Sequence, residues 1–163
     1  MAWRHGQVQD RNGPSEALCI GIVMLSDVYN KKILGFAADI PLTERLDAPD
    51  ATAVAHSKLC GSKVTVDVKM DGDTVTAFGH DVKACALGQA SSSIMARHVI
   101  GSSVDELCSL RDKMHAMLKE NGDPPDGKWA DLEVLIPVRD FKARHTSTLL
   151  TFDAVCDAVQ QAV

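Results

Sequence analysis

The sequence predicts an α+β fold in which a small antiparallel sheet, based on a β-hairpin, packs against several helices. Three observations carry this. Val64, Val66, Val68 and Met70 alternate with Lys63, Thr65, Asp67 and Lys69, the period of a half-buried strand. A turn sequence, Asp71-Gly72-Asp73, follows at once and leads into a second apolar run. On both sides of this pair the apolar spacing returns to that of a helix.

Taken in order, the first helix is expected from Leu25, with Val28, Tyr29, Ile33, Phe36, Ala37 and Ile40 on one face and Ser26 or Asp27 as its cap. Residues 41–56 contain two prolines and two aspartates among other turn residues and read as an irregular linker. In the second strand, Val75 and Ala77 share one phase while Phe78, His80, Val82 and Ala84 share the other. A bulge beside Gly79 would reconcile them. Leu87, Ala90, Ile94, Met95 and Val99 then mark a helix that Gly101 stops. Ser102 or Ser103 caps the next, with Val104, Leu107, Cys108, Met114, Met117 and Leu118 inward. After a short mixed segment around 128–138, the last helix carries Leu149, Phe152, Cys156, Val159 and Val163 inward. The sheet is expected to be covered on one face.

The chain has 163 residues and a formal net charge of −5, which suits one domain and argues against nucleic-acid or anionic-membrane binding. Residues 1–23 have loop composition and net to zero charge. They read as a flexible N-terminal extension to a single domain over 24–163. The apolar stretch at 17–25 is too short to span a bilayer. No repeat or low-complexity segment is present.

Five cysteines occur: Cys19, Cys60, Cys85, Cys108 and Cys156. The odd number, without a secretory signal, points to a reducing, cytoplasmic setting with thiols or ligands rather than disulfides. Cys108 and Cys156 lie on apolar helical faces and read as small core residues. Cys60 and Cys85 differ, because both stand at element ends. Cys60 precedes a strand and is followed by a glycine. Cys85 joins the hairpin to a helix N-terminus, where the dipole favours a thiolate, which makes it the better candidate for a reactive thiol. His56, four residues before Cys60, would share a metal with it if a helical turn lay between them. His98 and His115 are expected on solvated helix faces. No acid–base constellation or nucleotide-binding motif is present, so an enzyme in the strict sense is not expected.

The order Cys60-Gly61, hairpin, Cys85, then "ALGQASSSIM" resembles the IscU/NifU/SufU-type iron–sulfur cluster assembly scaffolds. The segments "VYNKKILGFAADI" and "VRDFKARHTSTLLTFDAV" resemble the family's first helix and the segment that holds its third cysteine. The resemblance covers about residues 24–160 and implies an IscU/NifU N-terminal-like fold. It also implies an exposed site for a transient iron–sulfur cluster or zinc. Its partners would be a cysteine desulfurase and cluster acceptor proteins, with a homodimer as one arrangement.

Carried over residue by residue, Cys60 and Cys85 match the family's first and second cysteines. The family's Cys-Gly-Asp reads Cys60-Gly61-Ser62 here, and the glycine before the second cysteine is Ala84. The third cysteine falls at Ser147, which also has a plain reading as a helix cap. The histidine that precedes that cysteine in one branch falls at Thr146, one residue from His145. The implied ligands are therefore Cys60, Cys85 and His145, with His56, Ser62 and Ser147 as accessory positions. A hydroxyl is a poor ligand for soft iron or zinc. Three completions stay open: histidine ligands, a cluster shared by two chains, or a metal-free module that works by binding partners. Cys60 or Cys85 as a sulfur acceptor is a further reading.

Overall fold

A computed structural model describes residues 30–163. Helix α1 spans Lys31–Ala38 and is followed by strands β1 (Ala51–His56), β2 (Lys63–Asp71) and β3 (Thr74–Lys83). Helices α2 (Ala86–His98) and α3 (Val104–Lys119) come next. A 3-10 stretch over Gly127–Asp140 and a short one over Lys142–Arg144 lead to α4 (His145–Ala162). The α+β class follows as expected.

The expected helix face at Leu25, Val28 and Tyr29 and the caps at Ser26 and Asp27 lie outside the described residues, as does the extension at 1–23. The described helix is capped instead by Asn30, whose side chain accepts from the Ile33 amide. Ser103 caps α3 in the same way through the Glu106 amide.

The sheet has three antiparallel strands in the order β1-β2-β3, one more than expected. Residues 51–56, read as linker, pair along β2 from Ala51 opposite Val68 to His56 opposite Lys63. The bulge also lies elsewhere. Lys69 pairs with Ala77 and Met70 with Val75, so Thr76 is the extra residue. This one-residue insertion returns Val75 to the face shared by Phe78, His80 and Val82, which resolves the phase slip. Gly79 has another reason to be glycine. A Cβ there would stand 2.2 Å from the Glu44 carbonyl oxygen, so its absence lets the 41–46 segment lie on the sheet.

That segment corrects a second expectation, that one face of the sheet is open. Val64, Val66 and Val68 face the main core, while Thr65 and Asp67 on the opposite face are also buried. Asp67 is fully buried. It accepts from Arg45 Nε at 2.5 Å, Arg45 Nη2 at 3.0 Å, the Leu46 amide at 3.0 Å and Thr52 Oγ1 at 2.6 Å. Burial pushes its carboxyl upward, but Arg45, Thr52 and the Leu46 amide together hold it below the ordinary value. His80 completes the attachment, with Nε2 2.8 Å from the Pro41 carbonyl and its amide donating to Leu42.

Helix α2 is buried along most of its length, and it can be because its residues are small. Ser91, Ser92 and Ser93 are all buried, Ser91 bonding to the Gly88 carbonyl and Ser93 to that of Asp39. The predicted inward positions of α2 are all buried, as are Leu107, Met114, Met117 and Leu118 of α3 and Leu149, Phe152, Cys156 and Val159 of α4. Val163 is exposed instead, because α4 ends at Ala162. His98 and His115 are not free on solvated faces. Each is half-buried, His98 edge-on to Trp129 and His115 with Nε2 2.8 Å from Asp153.

Cys108 and Cys156 overturn the expectation that every cysteine is a thiol or ligand. They form a disulfide that links α3 to α4, with Cα atoms 5.0 Å apart. Two cysteines on the facing sides of packed helices satisfy the core reading and the bond at once. No helix among the described residues is long and apolar enough to cross a membrane.

Candidate functional site

Within the described residues, two cysteines remain as free thiols, Cys60 and Cys85. The hairpin register brings them to one end of the sheet. Lys63 pairs with Lys83, so the chain leaves the same end of the ladder at both residues, toward Cys60 in one direction and Cys85 in the other.

Cys60 sits in a tight loop over residues 57–62 that joins β1 to β2. The Ser57 amide donates to the Ser62 carbonyl and the Gly61 amide to the Ser57 carbonyl, which closes the loop. Gly61 has φ of +73°, a conformation that favours glycine. This loop is a turn rather than a helix. His56 therefore ends β1 as an exposed residue opposite Lys63, and the helical turn expected between His56 and Cys60 is absent.

The loop buries two hydroxyls and leaves the thiol exposed. Ser57 and Ser62 are 2% and 4% exposed, with Oγ atoms 3.4 Å and 3.0 Å from Cys60 Sγ. Hydrogen bonds from the Ser57 hydroxyl, the Ser62 hydroxyl and the Ser62 amide hold the Cys60 thiol below its ordinary value, against a smaller opposing effect of burial. The sequence favoured Cys85 as the activated thiol on account of its helix end. The structure gives Cys60 this hydrogen-bonded surrounding, and two serines near a cysteine in a short loop were the available signal.

Cys85 is the N-cap residue of α2 and is half-buried. Its Sγ lies 3.4 Å from Ser147 Oγ. Ser147 does not cap α4. It is the third residue of the helix and its hydroxyl donates to the Arg144 carbonyl. The approach of α2 to α4 depends on Gly88, where a Cβ would come within 3.0 Å of the Ser147 carbonyl oxygen.

His145 begins α4 and is buried, with Nε2 3.0 Å and 3.1 Å from the carbonyls of Val138 and Arg139. Residues two apart on a helix do not share a face. His145 thus turns to the 3-10 segment while Ser147 turns to Cys85. Among the described residues no three of His, Cys, Asp and Glu gather into a group able to hold a metal ion. The donors at this end of the sheet are two thiols, Cys60 in contact with the hydroxyls of Ser57 and Ser62 and Cys85 with that of Ser147. The thiols suit soft iron or zinc; the hydroxyls do not extend that set.

The fold and this arrangement define a cysteine-bearing scaffold domain. The family model for the NifU-like N-terminal domain matches residues 28–147, and the chain belongs to that family. It is similar to a crystal structure of a nitrogen-fixing NifU-like protein (N-terminal) from Brucella abortus, with 60% identity and a TM-score of 0.84, covering 85% of this chain and 96% of that one. It is also 27% identical over 137 residues to the iron–sulfur cluster assembly scaffold protein IscU of Thermotoga maritima, covering 82% of this chain and 94% of that protein. A zinc-dependent sulfurtransferase, SufU of Bacillus subtilis, is 29% identical over 102 residues, covering 61% of this chain and 68% of that protein.

Proposed function

We propose that the chain is an iron–sulfur assembly scaffold or carrier whose working groups are the Cys60 and Cys85 thiols. The observation behind this reading is the delivery of two free thiols to one sheet end, with Cys60 exposed on a preformed loop. The names of its relatives, a cluster scaffold and a zinc-dependent sulfurtransferase, agree with it. Iron, sulfide or zinc is then cargo taken up at the thiols. A cysteine desulfurase is the sulfur donor and acceptor proteins receive the product.

The protein's own part in sulfur uptake is simple. The Cys60 thiolate attacks the outer sulfur of a donor persulfide. A new S–S bond forms at Cys60, the donor's S–S bond breaks, and the donor leaves as a thiolate. The protonated Cys60 thiol donates to Ser57 Oγ and Ser62 Oγ, and once the proton has left the two hydroxyls are placed to donate to the attacking thiolate. Nε2 of His145 is engaged by the Val138 and Arg139 carbonyls, so a ligand role for His145 would fall to Nδ1 or require those bonds to break.

The test is anaerobic purification followed by iron, zinc and acid-labile sulfide analysis and desulfurase-dependent labelling with sulfur. Uptake lost in Cys60→Ala or Cys85→Ala supports the reading. Full uptake in both variants removes it. The second reading, a metal-free partner-binding module, is favoured by the lack of a three-ligand group among the described residues. A partner recovered equally well with the double cysteine variant would support it.

A further inference from the structure

We propose that the cleft between the end of α3 and the start of α4 binds a small organic phosphate, at His145 and away from the thiols. The observation behind it is a histidine that the thiol site leaves unused. His145 is 6% exposed, and its Nε2 lies 3.0 Å and 3.1 Å from the Val138 and Arg139 carbonyls. A carbonyl only accepts, so Nε2 carries the proton and Nδ1 keeps its lone pair. Nδ1 has no hydrogen-bond partner among the described residues. The same histidine lines a cavity of about 520 Å³, within the range of small-molecule sites. With Nε2 held against the chain, Nδ1 is the ring nitrogen left for a ligand there.

The charge of the cavity selects an anion. Lys119, Arg139 and Lys142 line it against one carboxylate, Asp140, in a chain whose net charge is −5. Arg139 donates from Nε to the Met117 carbonyl at 2.8 Å and from Nη2 to the Gly122 carbonyl, which offsets the negative end of α3. Both lysines are exposed and have no ion pair among the described residues, so their charge is left for a ligand. No side chain caps α4, and its positive end adds to the same field. The lone pair on Nδ1 narrows the class. A carboxylate at neutral pH has no proton to give it. A phosphate monoester loses its second proton at about pH 6, so it binds in either of two forms. The monoanion donates its P–OH to Nδ1. In the dianion that proton has passed to the ring, and Nδ1 donates back to the phosphate. Leu118 and Asn121 also line the cavity and offer contacts to an organic part that inorganic phosphate lacks.

The experiment titrates the metal-free full chain with inorganic phosphate, glycerol phosphate and adenosine monophosphate in sulfate-free buffer. Calorimetry and nitrogen NMR of the histidine rings are the readouts. Saturable binding is expected, with at least one organic phosphate about tenfold tighter than inorganic phosphate. The His145 Nδ1 resonance should move while those of His56 stay in place. Lys119→Glu/Lys142→Glu, at exposed positions and checked for folding by circular dichroism, should weaken binding by about tenfold or more. Lys32→Glu/Lys69→Glu, exposed elsewhere, should leave it within about twofold. No saturable binding up to about 10 mM overturns the inference. Equal loss in both pairs of variants also overturns it, since diffuse charge and not the cleft would then hold the anion. So does binding that leaves the His145 resonance unmoved. Organic phosphates that bind no tighter than inorganic phosphate overturn it too, because the cavity beyond its charged groups would then contribute nothing. The scaffold reading stands or falls separately, since Cys60 and Cys85 are untouched in every arm.

Discussion

Ser147 Oγ lies 3.4 Å from Cys85 Sγ although 62 residues separate them, so the start of α4 is seated on the thiol that opens α2. Gly88 makes that seat. A methyl at this position would meet Ala84 Cβ at 2.7 Å and the Ser147 carbonyl oxygen at 3.0 Å, and the latter is backbone that yields only if α4 moves. Gly88→Ala is therefore expected to destabilise the protein by about 1–3 kcal/mol, the usual range for overpacking, despite the better helix propensity of alanine. Urea unfolding measures it. A variant as stable as the parent would mean that α2 and α4 are not held this closely.

The attachment of residues 41–46 to the sheet should titrate in two stages. Burial holds His80 below the ordinary histidine value, with the Pro41 carbonyl and Asp81 opposing the shift. Its neutral form is thus the folded form. The stability it contributes is complete above about pH 6.5 and is lost as the pH falls through its lowered value. Asp67 behaves likewise at lower pH: its depressed value gives stability that is complete above about pH 4 and lost on further acidification. Denaturant midpoints between pH 8 and pH 3 should show both stages. His80→Gln should flatten the first, and an unchanged slope in that variant would assign it to another group. Asp67→Ala should cost about 2–3 kcal/mol at pH 7 through the lost charge-assisted hydrogen bonds.

Much of this fold was legible because its pattern is local. The valine alternation in β2 and the helical spacing in α2, α3 and α4 each report on a single element. Strand β1 was not legible: it is an edge strand of Ala, Thr, Val and His behind a proline- and aspartate-rich stretch, with little apolar alternation. The phase slip in β3 was read correctly as an irregularity but placed at Gly79, because the glycine is visible in sequence while the unpaired Thr76 is ordinary there. At the site, position alone singled out Cys60 and Cys85, and the likeness of the C-terminal segment singled out Ser147. That Ser147 touches Cys85 while His145 faces away is a matter of helix phase, which depends on where α4 begins.

The Cys108–Cys156 bond could not be read from spacing either, since 48 residues separate its partners. Non-reducing peptide mapping should recover it. A closed loop of this size stabilises by about 3–5 kcal/mol in the chain-entropy account. Reductant should accordingly lower the melting temperature of the parent and leave Cys108→Ser/Cys156→Ser unaffected. Five titratable thiols in the unfolded, unreduced protein would show that the bond does not form.

The Cys60 loop offers the most direct test of the site. Ser57 and Ser62 are buried with their hydroxyls against an exposed sulfur, so alkylation of the metal-free protein should modify Cys60 before the half-buried Cys85. The hydroxyls favour the thiolate, which places the rise of the alkylation rate with pH below the usual range for a free cysteine, about 8.5. Ser57→Ala and Ser62→Ala should each move that rise upward. Ser62→Asp should move it further, because a carboxylate opposes a neighbouring thiolate where a hydroxyl donates to it. Gly61→Ala probes the loop itself: φ of +73° is strained for alanine, and a cost of about 1 kcal/mol with a slower Cys60 is expected. If the serine variants leave the pH profile in place, the hydroxyl contacts do not set the reactivity of Cys60, and its role would rest on exposure alone.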